Sequence, residues 1–497
     1  MNTFSLPFFS PLIASLREIT GPDHTLTHGD LSAWQQDCRG RTAGVALAVV
    51  RPAHTDQVAR VVRACALFLA QHPGCGLGIV PQGGNTGLVQ GSTPDGSGRQ
   101  IVLSLQRLNA VRHVDTANLT MTLEAGCILQ TAQECADQAG LLFALSLAAK
   151  GSCTVGGNLA TNAGGTQVLR YGNARDLCLG LEVVTASGDT WHGLRGLRKD
   201  NTGYDLRDLL VGSEGTLGII TAATFKLYPR PASQLCAWGV VPSLPAAVRL
   251  LGLAHQQLGA GLTGFELMGQ LALGLVARHF ADLNVPLWQD GPYCVLLAYS
   301  DHRPESVALG VLLECLESAL ADGCLSNAVM ANSLAQAETF WRIRESLPAA
   351  QTREGQNIKH DIALPVSQVA QFVQTTDQRL QQTIAGLRMV TFGHLGDGNL
   401  HYNVQAPMGV DACQFVLNHE ETVNRIVFDA VMALGGSFSA EHGIGSLRVL
   451  QLQRYQSPVA LGMMQAIKKA LDPLHLLNPG RVLLTSHSSH SSHSSYL

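Results

Sequence analysis

The run Lys150-Gly151-Ser152-Cys153-Thr154-Val155-Gly156-Gly157-Asn158-Leu159-Ala160-Thr161-Asn162-Ala163-Gly164-Gly165 organises the chain around it. It holds five glycines, small hydroxyls and two asparagines, with little large enough to build a core. Glycine lets a backbone approach a ligand and take positive φ. Clustered free N–H groups in such a run form anion-binding concavities. The apolar triplet Leu147–Ala149 precedes it, so the run leaves a buried segment and is expected to line a cleft. A flexible linker is the bland alternative, but linkers seldom set Asn and Thr in fixed alternation with Gly.

Two stretches of the same character flank it. Upstream, Pro81-Gln82-Gly83-Gly84-Asn85-Thr86-Gly87-Leu88 follows the apolar Leu77–Val80 and sits at the exit of an expected strand. Downstream comes Gly212-Ser213-Glu214-Gly215-Thr216-Leu217-Gly218-Ile219-Ile220. No Gly-Lys-Ser/Thr follows the glycines, which excludes a Walker loop. No G-x-G-x-x-G opens a helix after a strand, so a Rossmann dinucleotide site is not indicated. Three such loops point to one large phosphate-bearing ligand.

Together with Leu197–Arg207, these loops resemble the FAD-binding domain of the vanillyl-alcohol oxidase type flavoproteins. Within that superfamily the chain is similar to the FAD-dependent D-2-hydroxyacid dehydrogenases, and among them to the hydroxyglutarate dehydrogenases. The resemblance runs from about Asp37 to Leu483. It implies an α+β fold: a two-part FAD-binding domain, an α+β substrate or cap domain, and a C-terminal segment returning to the first. It further implies that Pro81–Leu88 wraps the FAD pyrophosphate. Gly151, Ser152, Gly156, Gly157, Asn158, Thr161, Asn162, Gly164 and Gly165 would line the flavin with Gly218, Ile219, Ile220 and Asn478. Some relatives tether FAD through a histidine near the first loop. No His stands in Pro81–Ser92, so non-covalent FAD is implied.

A length of 497 residues calls for two or three domains. With 46% hydrophobic and 14% charged residues, the chain reads as globular with much buried surface. A net charge of −4 shows no basic face, which argues against nucleic acid. The 12 cysteines include no C-x-x-C, which argues against a zinc ribbon or disulfide framework and fits a cytoplasmic protein. Met1–Leu16 lacks an early positive charge and a small-residue cleavage site, so it does not read as a signal peptide. No run of about 18 apolar residues spans a membrane. Any membrane association would be peripheral, through the electron acceptor. An external acceptor is expected, an electron-transfer flavoprotein or a quinone, and a homodimer is one open arrangement, the oligomeric state not being written in the sequence.

In chain order, Val45–Val50 reads as a strand and Thr55 as the N-cap of an amphipathic helix through Val58, Val61, Val62 and Cys65. Strands are expected at Leu77–Val80, Ile101–Leu105 and Leu119–Glu124, with a helix over Leu129–Gly140. Leu179–Ala186 and Gly188–His192 resemble a hairpin. Tyr228-Pro229-Arg230-Pro231 reads as a domain boundary. The expected domains are 1–232 for FAD, 233–444 for substrate and metal, and 445–484 returning to the first domain. Residues 485–497 form a disordered Ser/His tail.

The sharpest chemical signal is His394-Leu395-Gly396-Asp397-Gly398-Asn399-Leu400-His401. Seven residues apart, the histidines share neither a helix face nor a strand face. A turn at Gly396-Asp397-Gly398 between two strands would let them converge, and Asn403 then shares the face of His401. A third candidate follows in Glu441-His442-Gly443, a carboxylate and an imidazole in a glycine-bounded loop. Two His and one Glu suit a divalent metal with an open position, while a surface Glu-His pair is the plain alternative. The resemblance implies that His394, His401 and Glu441 hold zinc and that His442 takes the hydroxyl proton.

The resemblance also assigns substrate contacts to Arg344, Lys359 and Asn403, beside His442. An Arg fork suits a carboxylate. Where the hydroxyglutarate branch has a threonine touching substrate, this chain has Pro348. Two cations favour a dicarboxylate such as D-2-hydroxyglutarate. The alternatives are a D-lactate or glycolate dehydrogenase, a metal-dependent hydrolase, and a flavin-less ligand-binding protein.

Overall fold

The computed structural model describes residues 6–40 and 42–484; the Ser/His tail lies outside them. The chain forms two compact units. One comprises Met1–Gly164, Asn173–Pro229 and Glu441–Leu497, and the other Gly165–Gly172 and Arg230–Ala440. The boundary between Pro229 and Arg230 falls inside the proline-rich Tyr228–Pro231. The sequence-based limits of 232 and 444 thus move to 229 and 440, and residues 441–444 group with the first unit.

Among the described residues the first unit carries two larger sheets and a two-stranded one, Leu141–Leu142 with Tyr228–Pro229. In one of the larger two, Ala46–Val50, Gln100–Ser104 and Gly78–Gln82 run parallel, with Thr25–Leu26 antiparallel at an edge. Leu47 to Val50 are buried in succession, the pattern of a parallel strand covered on both faces. The other sheet is antiparallel, in the order Val111–Asp115, Thr120–Glu124, Ile219–Lys226, Cys178–Val184, Thr190–Gly193. Helix Thr55–Gln71 buries Val58, Val61, Val62 and Cys65 as its periodicity predicts. Its cap differs from expectation. His54 accepts from the Gln57 N–H, while the Thr55 hydroxyl donates to the carboxylate of Glu182 at 2.6 Å. The C-terminal segment joins the edge strand: the Ile79 N–H donates to Leu476 O at 2.8 Å and the Asn478 N–H to Ile79 O at 2.7 Å.

The second unit is built on one antiparallel sheet. Its strands lie in the order Asn327–Met330, Ser233–Val241, Tyr293–Asp301, Leu262–Gly269, Arg388–His394, Asn399–Gln405, Asn357–Ile358, and Asp361–Ala363 also pairs with Asn399–Gln405. Helices Gln270–His279 and Leu334–Glu354 pack over a core of Trp238, Met268, Phe340, Ile343, Leu347 and Phe392. The architecture is α+β, and no helix among the described residues is long and apolar enough to cross a membrane.

Candidate active site

The pocket of the first unit begins where Gly78–Gln82 ends. Its wall includes Pro81 to Gly87, Gly156 to Asn158, Thr161, Gly218 to Ile220 and His442. The first loop and the central run meet so closely that only glycine fits: a Cβ on Gly84 would lie 2.0 Å from Ser152 O, and one on Gly83 2.2 Å from Thr154 Oγ1. Backbone accounting separates the two loops. The N–H groups of Gly84, Asn85, Thr86 and Gly87 make no hydrogen bond among the described residues, and Asn85 takes a φ of 54°. Such a run of free donors suits a pyrophosphate.

The central run stands on the pocket wall, but several of its amides are not the free donors its composition suggests. It folds into the short helix Val155–Ala160, and its first donors are spent on protein: Val155 N–H on Cys127 O, Gly156 N–H on Ala125 O, Gly157 N–H on Thr154 Oγ1. Its contribution is a small-residue wall, not an anion nest. Gln82, 1% exposed, donates to Trp34 O and Ser92 O, while its buried Oε1 has no partner among the described residues. An orphaned acceptor in the wall fits a ligand that brings hydroxyl or N–H donors.

On the same wall, Glu214 is buried and accepts the N–H groups of Ile444 and Gly445, each at 2.7 Å. Burial pushes its carboxyl upward, against the pull of those two N–H groups and Arg448. His442, half-buried, lies just before that turn.

In the second unit the two histidines converge as the glycine turn predicts. Strands Arg388–His394 and Asn399–Gln405 pair with Phe392 opposite His401, and the rings of His394 and His401 stand 5.9 Å apart, edge to face. Gly398 closes the turn at φ 81°, where a Cβ would lie 2.0 Å from Leu364 O. Beneath them lies Glu266, 1% exposed on strand Leu262–Gly269. One oxygen accepts from His394 Nδ1 at 2.6 Å and the other from Arg344 Nε at 2.7 Å. Burial raises the Glu266 carboxyl, but the charges of His394 and Arg344 outweigh it and hold it at about 2. With Nδ1–H committed to Glu266, a neutral His394 carries its lone pair on Nε2, the arrangement of a metal-ligating histidine.

Arg344 is 6% exposed and lies over the Phe392 ring. Its two terminal nitrogens make no hydrogen bond among the described residues, which leaves the fork that grips a carboxylate unspent.

Models of two families cover the chain: an FAD binding domain over residues 46–193, and the C-terminal domain of FAD linked oxidases over residues 230–482. D-2-hydroxyglutarate dehydrogenase of Xanthomonas citri pv. viticola is 35% identical over 479 residues, covering 96% of this chain and 97% of that protein. The mitochondrial D-2-hydroxyglutarate dehydrogenases of Arabidopsis thaliana and Bos taurus are 34% and 36% identical, over 96% and 91% of this chain and 83% and 79% of theirs. The chain belongs to the FAD-dependent D-2-hydroxyacid dehydrogenases. Its fold matches p-cresol methylhydroxylase with a TM-score of 0.74 at 16% identity, over 95% of this chain and 96% of that one. It also matches 4-ethylphenol oxidase from Gulosibacter chungangensis with a TM-score of 0.72 at 16% identity, over 97% of this chain and 98% of that one.

The remaining expected site residues of this dehydrogenase are placed as follows. Leu88, Gly151, Ser152, Asn162, Gly164 and Asn478 are not in the pocket wall, and Gly165 groups with the second unit. Asn478 serves that wall indirectly, donating from Nδ2 to Gly91 O and Glu214 O. Asn403, 4% exposed, donates to Gln351 Oε1 at 2.9 Å and accepts the His360 N–H at 3.0 Å, so half its capacity is spent on protein. Lys359 is half-buried between Asn357–Ile358 and Asp361–Ala363. Pro348 is exposed within helix Leu334–Glu354, and its missing N–H leaves the Arg344 carbonyl without a helical donor. Cys153, Glu214 and Glu266 were not among the expected site residues. For Glu266 the signal was present: a carboxylate inside the apolar Phe265-Glu266-Leu267-Met268.

Proposed function

We propose that this dehydrogenase oxidises a D-2-hydroxy dicarboxylate, D-2-hydroxyglutarate or D-malate, to the 2-oxoacid. The observation that carries the reading of a 2-hydroxyacid is Arg344, a buried guanidinium oriented through Nε with its terminal nitrogens unspent, and the choice of a dicarboxylate rests on Lys359. It would hold the carboxylate beside the reacting carbon bidentately. Lys359 supplies a second positive charge for a distal carboxylate, and Asn403 keeps one N–H and one lone pair for the substrate. His442, on the pocket wall, takes the hydroxyl proton on its imidazole, a contribution of about 10²–10⁴-fold for a positioned base. FAD, held non-covalently in the pocket of the first unit, supplies a two-electron hydride acceptor.

His394, His401 and Glu441 would hold a divalent cation, zinc by their chemistry, which supplies Lewis-acid polarisation of an oxygen. Support comes from the His394–His401 approach and from the path of the chain. Asp361 pairs with His401 across the sheet, and the Ala440 N–H donates to Asp361 O at 3.2 Å. Glu441 is the next residue along the chain.

An acceptor outside the chain, an electron-transfer flavoprotein or a quinone, takes the electrons onward. A D-lactate or glycolate dehydrogenase is the second reading, favoured by the pairing of Arg344 with Glu266 and by Pro348. Anaerobic titration tests both. D-2-hydroxyglutarate should bleach the flavin absorbance and its L-enantiomer should not; no bleaching by any D-2-hydroxyacid would defeat the reading.

A further inference from the structure

We infer that Glu214 is a positioning residue for His442, its carboxylate fixing the turn that carries this histidine into the flavin pocket. The inference rests on the reading of His442 as the proton acceptor.

Three observations carry it. First, the carboxylate spends one oxygen on each of two successive amides, Ile444 and Gly445, the second and third residues after His442. An acceptor-only group matches two converging N–H donors; an amide side chain would bring its own N–H against one of them.

Second, the turn is glycine where it passes closest to its neighbours, Gly443 against the carboxylate itself and Gly445 against Val89. Gly443 and Gly445 take φ of 78° and 53°, in the left-handed region. A Cβ on Gly443 would lie 2.7 Å from Glu214 Oε1, and one on Gly445 2.0 Å from Val89 O. A Cβ on Gly91 would lie 3.3 Å from Glu214 Oε2. The carboxylate therefore sits in a socket with glycine on two sides.

Third, Glu214 is itself held in an unfavourable backbone state, with a φ of 53°. Its N–H donates to Ala160 O at 2.8 Å and its carbonyl accepts from Asn478 Nδ2 at 2.7 Å. A non-glycine residue persists there when its surroundings over-determine it, and such residues gather at functional sites. Here the determining groups come from the central run and the C-terminal segment. The position of the base is thus referred, through one carboxylate, to the same backbone that shapes the flavin wall.

The test is a double-mutant cycle on the FAD-loaded enzyme, with D-2-hydroxyglutarate and anaerobic stopped-flow flavin reduction. Glu214→Gln should slow reduction by roughly 10- to 100-fold, the scale of a misplaced catalytic group. In a His442→Asn background the same change should cost less than about 2-fold, because there is no base left to misplace. Equal losses in both backgrounds would overturn the inference and leave the role of His442 standing. A His442→Asn enzyme as fast as wild type would instead defeat the reading beneath it.

A second readout does not depend on turnover. Hydrogen exchange at the Ile444 and Gly445 amides should be slow in the wild type and accelerate by about 10-fold or more in Glu214→Gln. Unprotected amides in the wild type would overturn the inference. If Glu214→Gln loses FAD, Gly443→Ala, which drives a methyl into the carboxylate, replaces it in the same cycle and faces the same two outcomes.

Discussion

Arg344 gives its Nε to Glu266 at 2.7 Å, so its charge is matched before any substrate arrives. The other oxygen of that carboxylate holds His394 Nδ1 at 2.6 Å. One buried anion therefore orients both the expected carboxylate anchor and an expected metal ligand. Breaking such a pair by removing one partner is costly because it strands the other charge, typically by about 3–5 kcal/mol.

Glu266→Gln keeps the shape and removes the charge. Metal affinity should fall by about 10–100-fold, as when the outer partner of a ligating histidine is lost, and KM for the hydroxyacid should rise. FAD content should not change, because the flavin wall belongs to the other unit. Chelator competition and the flavin spectrum check the two halves. Lost flavin with retained metal would contradict the assignment.

His394→Ala and His401→Ala should each abolish stoichiometric metal and activity while FAD remains. His442→Asn should abolish most activity and keep metal. Metal analysis of the three variants is decisive, since loss confined to the His442 variant would exchange the roles of base and ligand.

The legible part of this site is local. Two strands with glycines between them foretell that His394 and His401 meet, because the turn and both histidines lie within eight residues. A glycine loop after a strand foretells the nest at Gly84–Gly87. Contacts across long sequence separations were not legible. Glu266 lies 78 residues from Arg344 and 128 from His394, and Glu214 lies 230 residues from Ile444. Only the sheet register and the return of the C-terminal segment bring them together. The central run misled for a different reason. Composition suggests free glycine amides, but the Gly156 amide goes to the Ala125 carbonyl and the Gly157 amide to the Thr154 hydroxyl oxygen.

FAD should be released by acid. The pocket wall offers two side chains able to form a flavin bond, Cys153 and His442. Burial pushes the Cys153 thiol up, away from the reactive thiolate. Acid precipitation should leave the yellow colour in the supernatant; colour in the pellet would implicate one of these two residues.

Stability should respond to acid through Glu354, the last residue of helix Leu334–Glu354. It accepts from Arg388 at 2.6 Å, His279 at 2.9 Å and Arg278 at 3.1 Å. Burial raises its carboxyl, but these partners outweigh it and hold it at about 2, below the ordinary 4.5. A carboxyl with a depressed folded pKa stabilises above its unfolded pKa, and that contribution is lost as pH falls from about 4.5 to about 2. Glu354→Gln should cost about 2 kcal/mol at pH 7 and almost nothing near pH 2. Thermal melts of both proteins across that range check it, and a gap independent of pH would refute it.

Substrate preference turns on which cation meets which carboxylate. From sequence, Arg344 and Lys359 look like two cations facing one substrate, and both would then favour a dicarboxylate. The pairing with Glu266 divides the work. Arg344 shares that carboxylate with His394, so on the proposed reading of His394 as a metal ligand the anchor suits the 1-carboxylate that every 2-hydroxyacid carries. Preference for a second carboxylate then falls to Lys359. Losing a charged partner there costs about 2–5 kcal/mol, whereas the hydroxyl absent at Pro348 is worth only about 1 kcal/mol, so dicarboxylates should still win. Arg344→Ala should lower kcat/KM for D-2-hydroxyglutarate, D-malate and D-lactate alike. Lys359→Ala should erase the advantage of the dicarboxylates and spare D-lactate. Measuring kcat/KM for the three acids in wild type and both variants decides it: a wild type that prefers D-lactate, or a Lys359→Ala enzyme that keeps the dicarboxylate preference, would show that the pocket reads its substrate by other means.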